Sequence, residues 1–250
     1  MKKRLFVLAC LMAMSSFASA IFEYGDFMGV NVKFTGIWED SSTDPGVALY
    51  GAPTYNGGDT LDFDNLFFGA SATGAGGNDT VDGTLGGKIE AKQNHTIGII
   101  KFEEYGDFTL SGFSNEAYVS VTNTIFIKVK EIDHLNVDDM TFSVDMVFTP
   151  DNSWLLSDDY PHRQGDWGGV LYVDIMQGLV DADYTFTGTA ATEVDFTMDN
   201  VLTAISQDGT TAIINKKESD GLKVTSTEIP EPATMALLGL GGLVLLRRKK

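Results

Sequence analysis

The chain has 250 residues, with 17 Lys+Arg against 35 Asp+Glu and a formal charge of −18 at pH 7. That balance argues against nucleic acid and against adsorption to anionic lipid, because both need positive charge. One cysteine, Cys10, leaves no disulfide framework.

Taken in chain order, Lys2, Lys3 and Arg4 precede an apolar stretch from Leu5 to Met14, and Ala18-Ser19-Ala20 follows. This predicts a secretory signal peptide over residues 1–20, cleaved at the Ala18/Ala20 site, with a mature chain starting at Ile21. Leu8-Ala9-Cys10 faintly resembles a lipobox, but the apolar core before it, Leu5 to Ala9, is too short. Cleavage after Ala20 removes the only cysteine, so the exported part has neither disulfide nor thiol chemistry. Residues 21–229 carry 10 Lys+Arg and 34 Asp+Glu, a formal −24. Such acidity is compatible with Ca²⁺, with basic partners, or with solubility outside the cell.

From Ile21 onward, alternation at period two replaces helical periodicity. Val30, Val32 and Phe34 alternate with Asn31, Lys33 and Thr35, and Leu61 and Phe63 with Asp62 and Asp64. Further runs begin at Ile97 and Ile99 and at Phe108 and Leu110. Tyr118 to Val121, then Ile125, Ile127 and Val129, read as two paired strands around Thr122-Asn123. The clearest pattern is Met140, Phe142, Val144, Met146 and Phe148, apolar on one face. Val170 to Ile175, Tyr184 and Phe186, Val194 to Met198, Ile213-Ile214 and Leu222 to Val224 complete the set. Turns such as Asn56-Gly57-Gly58-Asp59 and Asp208-Gly209 separate the runs. The pattern predicts an all-β, antiparallel two-sheet β-sandwich over residues 21–218, jelly-roll-like by strand count. Helix is limited to the signal, the tail and a turn near Gln177 to Val180. Ala70 to Gly77 reads as a Gly/Ala/Ser-rich flexible loop. Residues 219–229, from Ser219 on, read as a spacer.

Candidate chemistry is sparse. There is no G-x-S-x-G elbow, and His95, His134 and His162 lack zinc-ligand spacing. Asp59, Asp62 and Asp64 with Asn65, and Asn78, Asp79 and Asp82, offer oxygen ligands for Ca²⁺. Neither group fits the EF-hand loop, and these residues are equally ordinary turn formers. Glu131-Ile132-Asp133-His134-Leu135 resembles the start of the E-x-D-x-E strand of concanavalin-like retaining glycosidases. Such a strand sets alternate carboxylates on one face as nucleophile and acid. Leu135 stands in the third acid's place, which removes the acid/base role. Pro150 to Gly169 lacks strand alternation and holds Trp154, Tyr160 and Trp167 among Asp158, Asp159, His162, Arg163 and Asp166. Aromatic faces beside carboxylates suit pyranose rings, making this the candidate ligand loop. The alternative is that Trp154 and Trp167 plug an open end of the sandwich.

Ile229-Pro230-Glu231-Pro232 leads into Ala233 to Leu246, 14 residues without a charge, and then Arg247, Arg248, Lys249 and Lys250. As a helix the run is about 21 Å long at roughly 1.5 Å per residue. With Ile229, the prolines and snorkelling cations it makes a short single transmembrane helix. Pro232 suits a first helical turn. The four cations stay cytoplasmic and place the preceding chain outside. A buried helix of a soluble domain would carry a polar face, and this one has none.

Pro230-Glu231-Pro232-Ala233-Thr234, the Leu/Gly-rich stretch and the basic cluster together closely resemble the PEP-CTERM sorting signal of exported Gram-negative bacterial proteins. The resemblance covers about 22 of the 250 residues. It implies recognition by an exosortase, a membrane-embedded transpeptidase-like enzyme, with processing near the motif. Residues 230–250 would then divide into Pro230, Glu231 and Pro232 as the recognition motif, Ala233 to Leu246 as the membrane hold, and Arg247 to Lys250 as the membrane stop. It further implies a membrane-anchored intermediate, then delivery to the cell surface or extracellular matrix, with a structural or interaction role beside exopolysaccharide. That non-enzymatic reading comes first. A carbohydrate-binding module using the Trp154–Trp167 loop comes second, and a glycoside hydrolase on Glu131 and Asp133 third.

Overall fold

The structure, a computed structural model, describes residues 21–54, 57–64, 67–113, 116–159, 161–217 and 222–227. The predicted signal peptide and the predicted sorting tail at 230–250, with its transmembrane run, lie outside these residues. No helix among the described residues is long and apolar enough to cross a membrane.

Strand follows strand along the chain: β1 (Phe22–Met28), β2 (Val32–Asp40), β3 (Thr60–Phe63), β4 (Gly69–Thr73), β5 (Gly77–Ala91), β6 (Ile99–Gly112) and β7 (Tyr118–Ile132). Then come β8 (Leu135–Asp145), β9 (Phe148–Thr149), β10 (Ser153–Leu155), β11 (His162–Asp174), β12 (Ala191–Ser206), β13 (Thr210–Lys216) and β14 (Leu222–Thr227). One short helix, α1 (Ile175–Asp181), covers the predicted turn, and the Asp174 carboxylate caps it by accepting from Gln177 N at 3.0 Å.

The strands form two antiparallel 7-stranded sheets. The first runs β1-β2-β5-β12-β7, and the far edge of β7 is shared by β10 and β8. The second runs β9-β11-β6, and the far edge of β6 is shared by β14, next to β3, and β13, next to β4. Period-two alternation drives this layering: β12 turns Val194, Phe196, Met198, Leu202 and Ala204 inward, with Asp195, Thr197 and Asp199 outward. Phe196 meets Phe102 of β6 across the interior at 6.1 Å between centroids. The result is an all-β sandwich with one continuous core. Two of the corners where the chain crosses between sheets, β4 to β5 and β12 to β13, are tied together: Gly74 N donates to Thr210 O at 3.0 Å, and Ser206 Oγ to Gly74 O at 2.9 Å.

Four expectations are corrected. β7 is one strand, not a hairpin at Thr122-Asn123, because Asn123 keeps the inward phase of Val119, Val121, Ile125 and Ile127 and pairs with Asn200. Ala70 to Gly77 is not a loop: Ala70 and Ala72 face the core from β4, and the chain turns directly into β5. Pro150 to Gly169 contains β10, a 3₁₀ turn at Leu156–Asp158, and the first half of β11. Its alternation is hidden because inward positions 165 and 169 are glycine. A Cβ on Gly169 would lie 2.5 Å from Met146 Sδ, and one on Gly165 3.1 Å from the Phe108 ring. Finally, the predicted spacer holds β14, paired with β3 and β6, so the sandwich extends to Thr227.

Candidate functional site

The predicted ligand loop does not present its tryptophans. Trp154 and Trp167 are each 2% exposed. Trp154 stacks on Phe108 at 4.4 Å and 18°, and Trp167 meets Phe148 edge-on at 5.4 Å while donating Nε1–H to Asp107 O at 3.3 Å. Both indoles sit at inward positions of strands, where burial of a large apolar surface outweighs any display to solvent. Asp158 pairs with Arg163, and Asp159 closes the 3₁₀ turn through its N–H to Leu156 O. Tyr160 lies outside the described residues.

The Glu131/Asp133 pair is also taken apart. β7 ends at Ile132, and Asp133 and His134 form a turn with φ of 51° and 60°. The Asp133 carboxylate accepts from Thr189 N at 2.8 Å, Thr189 Oγ1 at 2.9 Å and Ala190 N at 3.1 Å. It fixes a loop and does not share a strand face with Glu131.

The acidic turns do similar work. Asp59 accepts from Asn31 N at 2.8 Å, Asn31 Nδ2 at 2.9 Å and Val32 N at 3.1 Å. Asp62 lies within β3, Asp64 just beyond it, and Asn65 outside the described residues. Asp79 accepts from Ser71 N at 2.7 Å. Asp82 accepts from Ser42 N and Thr43 N, both at 2.9 Å, and from Ser42 Oγ at 2.5 Å. Among the described residues no group of three or more His, Cys, Asp or Glu is arranged around a common metal position.

Burial raises the Asp82 carboxyl, but the Ser42 and Thr43 donors outweigh it and hold the group below its usual range. A depressed folded value means that this contribution is complete above the unfolded value of about 3.9 and is lost as pH falls through the folded one. Asp82→Asn should therefore cost about 0.5–1 kcal/mol near neutrality, allowing for solvent screening. In thermal melts the gap to the parent protein should close as pH drops below about 4. A gap unchanged at pH 2–3 would refute this account.

The groups the structure does assemble lie on the outer face of the first sheet. Residues directly opposed in antiparallel strands share a face. Glu23 of β1 pairs with Trp38 of β2, Trp38 with Gly86 of β5, Gly86 with Thr197 of β12, Thr197 with Phe126 of β7, and Phe126 with Ser143 of β8. One row thus crosses six strands. The next row runs Thr35, Lys88, Asp195, Lys128 and Thr141. Trp38 reaches this face through a bulge. Val32 and Phe34 point inward, Gly36 adopts a φ of 55°, and after it Ile37 and Glu39 point inward instead. The indole lies over Gly86, where a Cβ would stand 2.5 Å from Cε2 and Cζ2, a close approach only glycine permits. Trp38 separates two open hollows of about 420 Å³, toward Lys88 and Asp195, and about 320 Å³, toward Ile21 and Glu23. Phe126, three strands over, is 41% exposed. Extending the Val32/Phe34 alternation puts Trp38 in the core, which is why the sequence reading misses it. The available signal was Gly86-Gly87 inside an otherwise alternating run.

Lys88 pairs with Glu193 at 2.6 Å, and Lys128 and Lys130 with Asp139 at 2.7 and 2.6 Å. Every cation named here is already matched by a carboxylate. The face therefore offers N–H and O–H groups without a net positive field.

A second polar group is sealed between the sheets. Lys216 Nζ lies 2.5 Å from Glu104 Oε1, which also accepts from Asn200 Nδ2 at 2.6 Å. Asn200 Nδ2 reaches Tyr50 OH at 3.1 Å, that hydroxyl donates to Gly83 O at 2.9 Å, and Tyr50 N donates to Glu39 Oε2 at 2.8 Å. Burial pushes the Glu39 carboxyl up, against the hydrogen bond from Tyr50 N, and pushes the Lys216 ammonium down, against Glu104. All of these residues are buried, so the chain of contacts joins the two sheets from inside.

Residues 228–250 match the PEP-CTERM protein-sorting motif. No curated protein matches the chain significantly. Among solved structures, TmCBM61 in complex with β-1,4-galactotriose is similar at 10% identity, covering 61% of this chain and 70% of that one, with a TM-score of 0.16. A family 11 carbohydrate-binding module from Clostridium thermocellum, in complex with a β-1,3-1,4-mixed-linked tetrasaccharide, follows at 12% identity, 79% and 97% coverage and a TM-score of 0.19. The VP2 protein of infectious bursal disease virus follows at 10% identity, 89% and 60% coverage and a TM-score of 0.13. At TM-scores this low the likenesses carry no argument about fold or function.

Proposed function

We propose, from the PEP-CTERM protein-sorting motif carried at residues 228–250, that this chain is an exosortase substrate whose sandwich acts as a non-catalytic interaction module at the cell surface or in the extracellular matrix. The motif implies export and surface sorting. What supports the interaction role is the outer face of the first sheet, where Trp38 stands between two hollows among paired charges. What speaks for a non-catalytic role is that Glu131 lies on β7 while Asp133 is bound into a turn. An acidic, cysteine-free exported part suits a hydrated polysaccharide surround, which it enters without adsorbing to anionic lipid.

The test is mass spectrometry of the protein recovered from the surface fraction of the cells that make it. The expected product starts at Ile21 and ends near Pro230-Glu231-Pro232, without Arg247 to Lys250. Intact cations on surface protein would refute processing. Replacing Pro230, Glu231 and Pro232 by alanine should leave the chain unprocessed in the membrane fraction.

A further inference from the structure

We propose that the outer face of the first sheet binds a neutral polysaccharide laid across the strands, with Trp38 and Phe126 as its two stacking platforms. The inference rests on the reading that the sandwich is displayed outside the cell.

Trp38 and Phe126 occupy the same cross-strand row, with β5 and β12 between them. Three strand spacings separate them, about 14 Å at roughly 4.8 Å each. That is the length of a short oligosaccharide and too long for one sugar ring. Gly86 lies beneath the Trp38 indole and the next position, Thr197, is small, so the floor between the platforms is low. A glycan can bridge them without climbing over a side chain. Pyranose rings present C–H faces to aromatic rings and hydroxyls to their edges. The neighbouring row supplies donors and acceptors for those hydroxyls along the same direction, from Lys88, Asp195 and Lys128. The hollow of about 420 Å³ beside Trp38 is lined by Lys88, Asp195 and Thr197 and opens on this path.

Charge selects among glycans. The lysines on this face are held by Glu193 and Asp139, and the whole chain carries −18. An acidic polymer would meet like charge with no unmatched cation to receive it, whereas a neutral one loses nothing to repulsion.

The test is calorimetric titration of the full chain, held in detergent, with neutral hexasaccharides of the gluco, galacto and manno series and with oligogalacturonate. At least one neutral hexasaccharide should bind, its disaccharide should bind more weakly, and oligogalacturonate should not bind. Trp38→Ala and Phe126→Ala should each weaken binding by about 30-fold or more, the size of a hot-spot aromatic. Trp38→Phe should retain most of the affinity, with unchanged thermal midpoints certifying the fold of each variant. Equal affinity in Trp38→Ala or Phe126→Ala, binding of oligogalacturonate alone, or no binding of any neutral hexasaccharide would overturn the proposal. So would a dimer, seen by sedimentation and broken by Trp38→Ala, in place of glycan binding. Correct C-terminal processing alongside any of these outcomes would leave the surface-delivery reading standing.

Discussion

Replacing Lys216 by alanine should destabilise the sandwich by about 3–5 kcal/mol, the range for removing one partner of a buried ion pair. Lys216 and Glu104 have side chains only 1% exposed, and their contact at 2.5 Å bridges β13 and β6. The ammonium also lies 4.9 Å from the Phe68 centroid and 5.7 Å from that of Tyr50, so its removal unpacks two rings as well. Without Lys216, the Glu104 carboxylate keeps the Asn200 amide as a neutral donor inside a low-dielectric interior. The paired replacement Glu104→Leu with Lys216→Met should recover most of the loss, because it removes both charges and keeps the volume. Denaturant titration at pH 7 separates these outcomes as midpoint shifts at constant slope. A loss below about 1 kcal/mol for Lys216→Ala would mean that the pair behaves as a solvated surface bridge.

Trp154→Ala and Trp167→Ala should each cost about 3–5 kcal/mol, the range for truncating a large aromatic in a core. Trp154 lies against Phe108 of β6, and Trp167 against Phe148 and over Gly106. A Cβ on Gly106 would stand 2.2 Å from the Trp167 ring, so the indole fills the inner surface of β6 with little slack. The void left by truncation cannot be closed by neighbours already at contact distance. The expected signature is loss of stability in both variants, with glycan affinity unchanged in whatever fraction stays folded. Thermal melts and titrations on the same samples measure the two separately. A variant of either residue that keeps its stability and loses ligand would restore the loop between them as a binding site.

The contrast among the three tryptophans shows how far the sequence could be read. Alternation alone located most strands, because a half-buried strand must place every second side chain in the core. It failed where small residues stood for large ones. Gly165 and Gly169 hid β11, since the space above them is filled by Phe108 of β6 and by Met146, between β8 and β9. It also failed where a bulge shifted the phase. Gly36 moves Trp38 to the solvent face, and the continuation of β2 is invisible to a strict period of two. The Asn123 position misled in the other direction. A polar residue suggested a turn, yet its phase was that of the core, and the phase was the better guide.

The class of fold and the sorting motif are legible in the sequence alone. Period-two patterning commits a chain to sheets whatever its neighbours are, and the sorting motif at residues 228–250 is local and contiguous. The tertiary structure alone decided which aromatics face water and which carboxylates are already engaged. Asp59, Asp82 and Asp133 are each bound by donors distant along the chain. Trp38 and Phe126 share a row only because β5 and β12 lie between their strands. Such pairings join residues far apart in sequence, and strand order, set by how two sheets bury a common core, is what brings them together.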